Sequence, residues 1–154
     1  MKAGIALGSN LGNRAQHLQH GFAFLQSLST APILQSSVVE TAPVDCPPNS
    51  GPFLNAVAQI DTSGTARQLF EQLKAFERTE GRLAATLPNS PRPLDLDLLY
   101  FGNQTVEEGD LVVPHPRMTR RRFVLGPLAE IVPGLILPGK SRSIQQLLTD
   151  LDLE

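Results

Sequence analysis

Residues 53–61 read Phe53-Leu54-Asn55-Ala56-Val57-Ala58-Gln59-Ile60-Asp61, and the reading of this stretch decides the fold. Strict two-residue alternation predicts a strand with Leu54, Ala56, Ala58 and Ile60 on one face and Phe53, Asn55 and Val57 on the other. Four residues on, Thr65-Ala66-Arg67-Gln68 has the form of a capping box. It opens a helix whose apolar stripe is Ala66, Leu69, Phe70, Leu73 and Phe76, closing near Gly81. The strand carrying Asp95 and Asp97 follows and turns at Gly102-Asn103. Upstream, Lys2–Leu7 predicts a short buried strand. Leu11, Leu18, Phe22 and Leu25 recur at helical spacing and predict a helix over 11–28. Ile33–Glu40 is strand-like. The order is β-α-β-β-α-β, the split βαβ or ferredoxin-like arrangement of an α+β domain on an antiparallel or mixed sheet.

Extra elements follow this core: a short strand near Leu111–Val113, a helix over Phe123–Ile131, and a last helix capped by Ser143-Ile144-Gln145-Gln146. The segments 41–52, with four prolines, and 83–91 read as loops. No repeat or linker divides the chain, so residues 1–154 read as one domain.

Composition narrows the function classes. Hydrophobic residues are 41% and charged residues 18%, as in a globular core rather than a disordered chain. A net charge of −2 supplies no overall basic field for nucleic acid or a membrane surface. Cys46 is the single cysteine, which excludes an internal disulfide. Neither a secretory leader nor a membrane-spanning run is read, so a soluble cytoplasmic protein is expected.

The chemistry concentrates in Arg92-Pro93-Leu94-Asp95-Leu96-Asp97-Leu98. On a strand, Asp95 and Asp97 share one face, about 7 Å apart along the chain, with Leu94, Leu96 and Leu98 on the other. Two carboxylates so placed repel each other unless a positive partner intervenes. Arg82 and Arg92 lie upstream, and His115, Arg117, Arg120, Arg121 and Arg122 downstream. Carboxylates for Mg²⁺ beside arginines for phosphate oxygens suit nucleotide chemistry; a solvated face accounts for one or two of the arginines. Phe53 and Asn55 suit a flat heterocycle, stacked by the ring and read at its edge by the carboxamide, or equally an ordinary core Phe beside a polar neighbour. Gly134-Leu-Ile-Leu-Pro-Gly139-Lys140-Ser141 fits the letters of a P-loop, but a helix precedes it and Pro138 removes an amide. That reading is rejected.

At this point the residues meet a family. Ala6-Leu-Gly-Ser-Asn-Leu-Gly12, Glu40-Thr-Ala-Pro43, Phe53-Leu-Asn-Ala56, Glu77 with Gly81-Arg82, Pro91-Arg-Pro-Leu-Asp-Leu-Asp-Leu98, Pro114-His115-Pro-Arg-Met118 and Arg122-Phe-Val-Leu-Gly-Pro-Leu-Ala-Glu-Ile131 together resemble the 6-hydroxymethyl-7,8-dihydropterin pyrophosphokinases of folate biosynthesis. The resemblance implies a ferredoxin-like core in α/β/α layers, and transfer of pyrophosphate from ATP to the pterin hydroxymethyl group with release of AMP. It implies two Mg²⁺ ions on Asp95 and Asp97, and ATP contacts from Glu77, Lys74, His115 and Arg121. Arg82 and Arg92 would act from a closing loop. The pterin would lie between Phe53 and Phe123, read by Asn55 and by Thr41, Pro43 and Val44, with Gly8 allowing close approach. The proton acceptor stays open between Asp97 and solvent. A monomer or weak dimer is implied.

Some positions depart from the family pattern. Residues 83–90 carry no charge, Lys74 stands where Gln is frequent, and Val112 and Pro116 replace side chains used around the nucleotide. Two rivals follow: a relative that binds pterin or nucleotide with weak catalysis, and a ferredoxin-like nucleic-acid module. The second is disfavoured by one Tyr, no Trp and the negative charge.

Overall fold

Strand β1, Lys2–Ser9, forms the axis of the molecule. A computed structural model of the chain describes residues 1–41, 52–80 and 93–153. Helix α1 is Arg14–Leu28, followed by β2 at Leu34–Gln35, β3 at Val39–Thr41, β4 at Phe53–Asp61 and α2 at Ala66–Glu80. Then come β5 at Asp95–Phe101, β6 at Val106–Glu108, β7 at Leu111–Val113, α3 at Arg122–Ile131 and α4 at Ile144–Asp152. β1 pairs antiparallel with β4 on one side and with β5 on the other. β2 and β3 both pair with the far edge of β4. With β2 and β3 taken as one interrupted strand, this is the antiparallel ferredoxin-like order expected of the βαββαβ core.

Alternation along β1 divides the core in two. Ala3, Ile5 and Leu7 face a cluster completed by Leu18 and Leu25 of α1, Leu69 and Leu73 of α2, and Leu94, Leu96 and Leu98. On the opposite face, Val57, Leu99 and Tyr100 pack with Val124, Leu125 and Leu128 of α3 and Ile144 of α4. Helices therefore cover both sides of the sheet, the α/β/α layering implied by the resemblance. Among the described residues, no helix is long and apolar enough to cross a membrane.

Three expectations are corrected. The strand expected over Ile33–Glu40 is broken: Leu34 pairs with Gln59 but Val39 with Asn55, so five steps on one strand oppose four on the other. The cause is serine chemistry. Ser36 Oγ accepts the Val57 N–H at 2.9 Å, replacing a backbone carbonyl, while Ser37 donates its N–H and hydroxyl to Glu130 of α3, each at 2.8 Å. The first helix begins at Arg14 rather than 11, because Asn13 caps it through the Gln16 N–H and leaves Leu11 exposed. A short hairpin of β6 and β7 also forms where only β7 was expected. The capping boxes at Thr65/Gln68 and Ser143/Gln146 are both formed. The 134–141 segment follows α3, buries Leu137 in the second core and bridges Ile136 to Ser143, as its rejection as a P-loop requires.

A bulge in β5 shapes the second face. Gly4 pairs with Tyr100 and Ile5 with Leu98, so Leu99 is the extra residue and both Leu99 and Tyr100 turn toward α3. The Tyr100 ring then lies over Gly4, where any Cβ would collide with it, and its hydroxyl donates to Gln59 Oε1 at 2.5 Å. Gly4→Ala should therefore lower stability by about 1–3 kcal/mol, the usual cost of overpacking. Urea denaturation measures this, and a loss below about 0.5 kcal/mol, typical of a surface change, would remove the close-approach argument.

Candidate functional site

Register brings the site together. Gly8 of β1 pairs with Asn55 of β4 and with Asp95 of β5. One step along, Ala6 pairs with Val57 and with Asp97. Val57 and Ala6 belong to the second core, so Asp95, Asp97 and Asn55 all project from that same face. Between Asp95 and Asn55 the row has no side chain, because Gly8 occupies its centre. A Cβ there would lie 3.3 Å from Asn55 Oδ1 and 3.6 Å from the Phe53 ring. The result is a shallow trough with carboxylates at one end and an amide and an aromatic ring at the other.

The amide end is pre-set. Asn55 is buried, and its Nδ2 donates to Thr41 Oγ1 at 2.7 Å, Thr41 being the register partner of Phe53. A fixed Nδ2 leaves Oδ1 turned toward the trough as an acceptor. Phe123 enters from the first turn of α3, packs on the second core and carries the Arg121 guanidinium over its ring at 5.6 Å.

The carboxylate end lies on the sheet edge. Lys74 Nζ donates to Leu96 O at 2.9 Å and to Glu77 Oε2 at 3.1 Å, and stands 3.8 Å from Asp97 Oδ1. The Leu96 N–H donates to the same Glu77 oxygen at 2.5 Å. Two side chains one helical turn apart on α2 thus satisfy both edge groups of Leu96. Burial, reinforced by Asp95, pushes the Glu77 carboxyl up to about 7, although Lys74 and the Leu96 N–H favour its ionised form. Burial alone would lower Lys74, but Glu77, Asp97 and Asp95 outweigh it and hold the ammonium above its usual value.

His115 follows β7, with its N–H on Leu99 O at 2.7 Å. Its Nδ1 accepts the Arg117 N–H at 3.2 Å, which assigns the proton of the neutral ring to Nε2. Burial, aided by Arg121 and Arg117, lowers its pKa to about 4. Beside it, a cleft of about 340 Å³ is lined by Phe70, Lys74, Asp97, Val112 and His115 among others.

Of the residues singled out from sequence, Gly8, Thr41, Phe53, Asn55, Asp95 and Asp97 lie on adjoining strands of one face, and Lys74, Glu77 and His115 border its β5 edge. Pro43, Val44, Arg82 and Arg92 lie outside the described residues. Arg122 pairs with Asp152 of α4, both side chains being exposed. Sequence reasoning missed Arg14, which pairs with Glu40 of β3 at 3.0 Å and donates to Pro52 O, just before β4, at 2.8 Å. Only the spatial closeness of β3 and the start of α1 could have revealed it.

The antiparallel α+β sheet thus brings paired carboxylates and an amide-lined trough to one face. Comparison with known proteins names its kind. The family model described as "7,8-dihydro-6-hydroxymethylpterin-pyrophosphokinase (HPPK)" matches residues 4–133, and the chain belongs to that family. A 2-amino-4-hydroxy-6-hydroxymethyldihydropteridine pyrophosphokinase of Bacillus subtilis is 41% identical over 128 residues, covering 82% of this chain and 75% of the relative. The Haemophilus influenzae protein of the same name is 35% identical over 148 residues, covering 96% and 88%. A folate synthesis bifunctional protein of Chlamydia caviae is 36% identical over 136 residues, and the chain spans only 30% of its length. The Plasmodium falciparum HPPK-DHPS structure with SDX-DHP superposes at a TM-score of 0.75 with 14% identity, over 97% of this chain and 44% of that one. At that identity the likeness shows the shared fold.

The depressed pKa of His115 has a measurable consequence. A folded value below that of the unfolded chain means its contribution to stability is fully present above about 6.5 and is lost as pH falls through about 4. Imidazole NMR of the ligand-free protein should find His115 neutral, as the Nε2–H tautomer, down to pH 5, well below the usual midpoint. A midpoint near 6.5 would overturn this electrostatic account.

Proposed function

We propose that this chain transfers pyrophosphate from ATP to the hydroxymethyl group of 6-hydroxymethyl-7,8-dihydropterin, releasing AMP. The observation that carries this reading is the Asp95–Gly8–Asn55 row, in which three strands bring carboxylates and a buried side-chain amide to one face. Family membership supports it independently.

In this reading the pterin lies over Gly8 with its ring against Phe53 and Phe123. Asn55 Oδ1 accepts from the pterin's amino or ring N–H, while the hydroxymethyl group points toward Asp95 and Asp97. Thr41 holds Asn55 in register, and Pro43 and Val44 supply backbone contacts. Asp95 and Asp97 present the hard carboxylate oxygens that Mg²⁺ prefers, so the donor set fits two such ions. When bound, such ions would supply charge neutralisation for the phosphate group. His115 offers its Nε2–H as a neutral donor, and Lys74 and Arg121 add positive charge beside the 340 Å³ cleft, where ATP would sit. Glu77 positions Lys74 and the β5 edge from beneath that nucleotide. Arg82 and Arg92 reach the phosphates from the 81–92 segment. Asp97 or a water takes the hydroxyl proton.

Incubation with ATP, Mg²⁺ and the reduced pterin should yield AMP and the pterin diphosphate in equal amounts. Formation of ADP, or no product, refutes the proposal; tight binding of both substrates without AMP would favour the weakly catalytic relative. Asp97→Ala should reduce kcat at least about 100-fold, the order seen when an electrostatic transition-state contact is removed, with an unchanged circular dichroism spectrum. Retention of most activity would sink the metal assignment.

Gly8→Ala tests the trough separately. The added methyl would raise KM for the pterin about tenfold or more, about 1.4 kcal/mol of lost binding, and leave KM for ATP unchanged. Equal effects on both substrates would place the heterocycle elsewhere.

A further inference from the structure

On the opposite side of the sheet from Asp95 and Asp97, helices α1 and α2 bring together three side chains that the proposed reaction does not use. His17 and His20 stand three residues apart on α1 and so share one helix face. Glu80 closes the α2 helix. The two imidazole Nδ1 atoms lie 2.5 and 2.8 Å from the same Glu80 oxygen. All three candidate ligand atoms fall within 4.8 Å of one another. Four residues further along the same helix pair, Phe24 and Phe76 stack at 4.1 Å with planes 5° apart, fixing the platform on which the cluster stands.

We infer that His17, His20 and Glu80 form a binding site for a borderline divalent transition-metal cation of the Zn²⁺ type. Two imidazole nitrogens and one carboxylate oxygen are the donors such cations accept, whereas Mg²⁺ and Ca²⁺ select oxygen alone. In the metal-free protein the shared oxygen accepts an N–H from each ring. On metal binding each ring gives up its Nδ1 proton, to its own Nε2 or to solvent, and offers the freed lone pair, so no oxidant or further reactant is needed. With bonds near 2.0 Å and tetrahedral angles, donor atoms sit about 3.3 Å apart, so the rings retreat from Glu80 by under about 1 Å. His20 is 48% exposed and can make that move, while Glu80, at 13%, stays sheltered. Solvent at the His20 side provides the path of entry and a water for the fourth position. The hydrogen bonds of His17 and His20 outweigh burial and keep the Glu80 carboxyl below its ordinary range, ready as an anionic ligand.

The test uses the whole protein and Zn²⁺ alone as probe, with excess Mg²⁺ present to occupy hard carboxylate sites. Calorimetry should give one Zn²⁺ bound to the His17/His20 cluster per chain. Imidazole NMR should show the His17 and His20 signals moving while His115 stays fixed. His20→Ala, at the most exposed ligand, and Glu80→Gln, which keeps a hydrogen-bond acceptor but removes the charge, should each weaken Zn²⁺ at least about tenfold. Zn²⁺ binding unaffected by His20→Ala, shifts confined to His115, or no binding at micromolar Zn²⁺ would each overturn the assignment. Should Glu80→Gln fail to fold, His20→Ala alone decides it.

Discussion

The antiparallel register of β1 against both its neighbours is the constraint on which the site depends. Gly8 must face Asn55 on one side and Asp95 on the other for the trough to exist. A slip of one residue along β5 would turn Asp95 and Asp97 into the apolar layer under α1 and α2 and expose Leu94, Leu96 and Leu98. Burial forbids this. Each leucine contributes roughly 1.5–3 kcal/mol from leaving water, and two ionised carboxylates in that layer would cost several more. The hydrophobic pattern that builds the core therefore also aims the carboxylates. The bulge at Leu99 then ends their alternation, so that leucine and tyrosine close the second face where charge is not wanted.

Charge at the β5 edge is arranged with equal economy. An edge strand exposes unpaired backbone groups, and β5 would do so at Leu96 beside two acids. Lys74 and Glu77 cover both groups from one face of α2, and the ammonium also approaches Asp97. A glutamate between Asp95 and a buried strand edge tolerates its position because Lys74 and the Leu96 amide offset a carboxyl pushed toward neutrality. Structural support and electrostatic tuning of the site are the same contacts.

Much of this was legible in the sequence because it rests on periodicity. The β4 alternation, the α2 stripe and both capping boxes are local patterns, and local patterns fix element type and facing residues. The Asp95/Asp97 face was readable for the same reason. What escaped was decided by side chains competing with the backbone or by residues distant in sequence. Nothing local in Ser36-Ser37 says that one hydroxyl will replace a carbonyl of the ladder while the other residue turns to Glu130, 93 positions away. The Lys74 clamp on Leu96, Arg14 with Glu40, and the convergence of His17 and His20 on Glu80 likewise exist only after α1, α2 and the sheet have packed.

In the proposed reaction, the acidic face and an anionic substrate must be reconciled. At an effective dielectric near 20, each pair of like unit charges 4 Å apart costs about 4 kcal/mol. A triphosphate meeting two carboxylates incurs several such terms at once, more than one hydrogen bond from His115 can offset. Lys74 cannot supply the difference alone, since its ammonium already serves Glu77, Leu96 and Asp97. Under that reading, a face built this way would favour a polyanion only when cations arrive with it, which would make metal, nucleotide and acceptor binding interdependent. It also explains the neutrality of His115. Burial, aided by the charges of Arg121 and Arg117, disfavours a protonated ring, whereas a neutral Nε2–H would cost nothing until a phosphate oxygen is there to receive it.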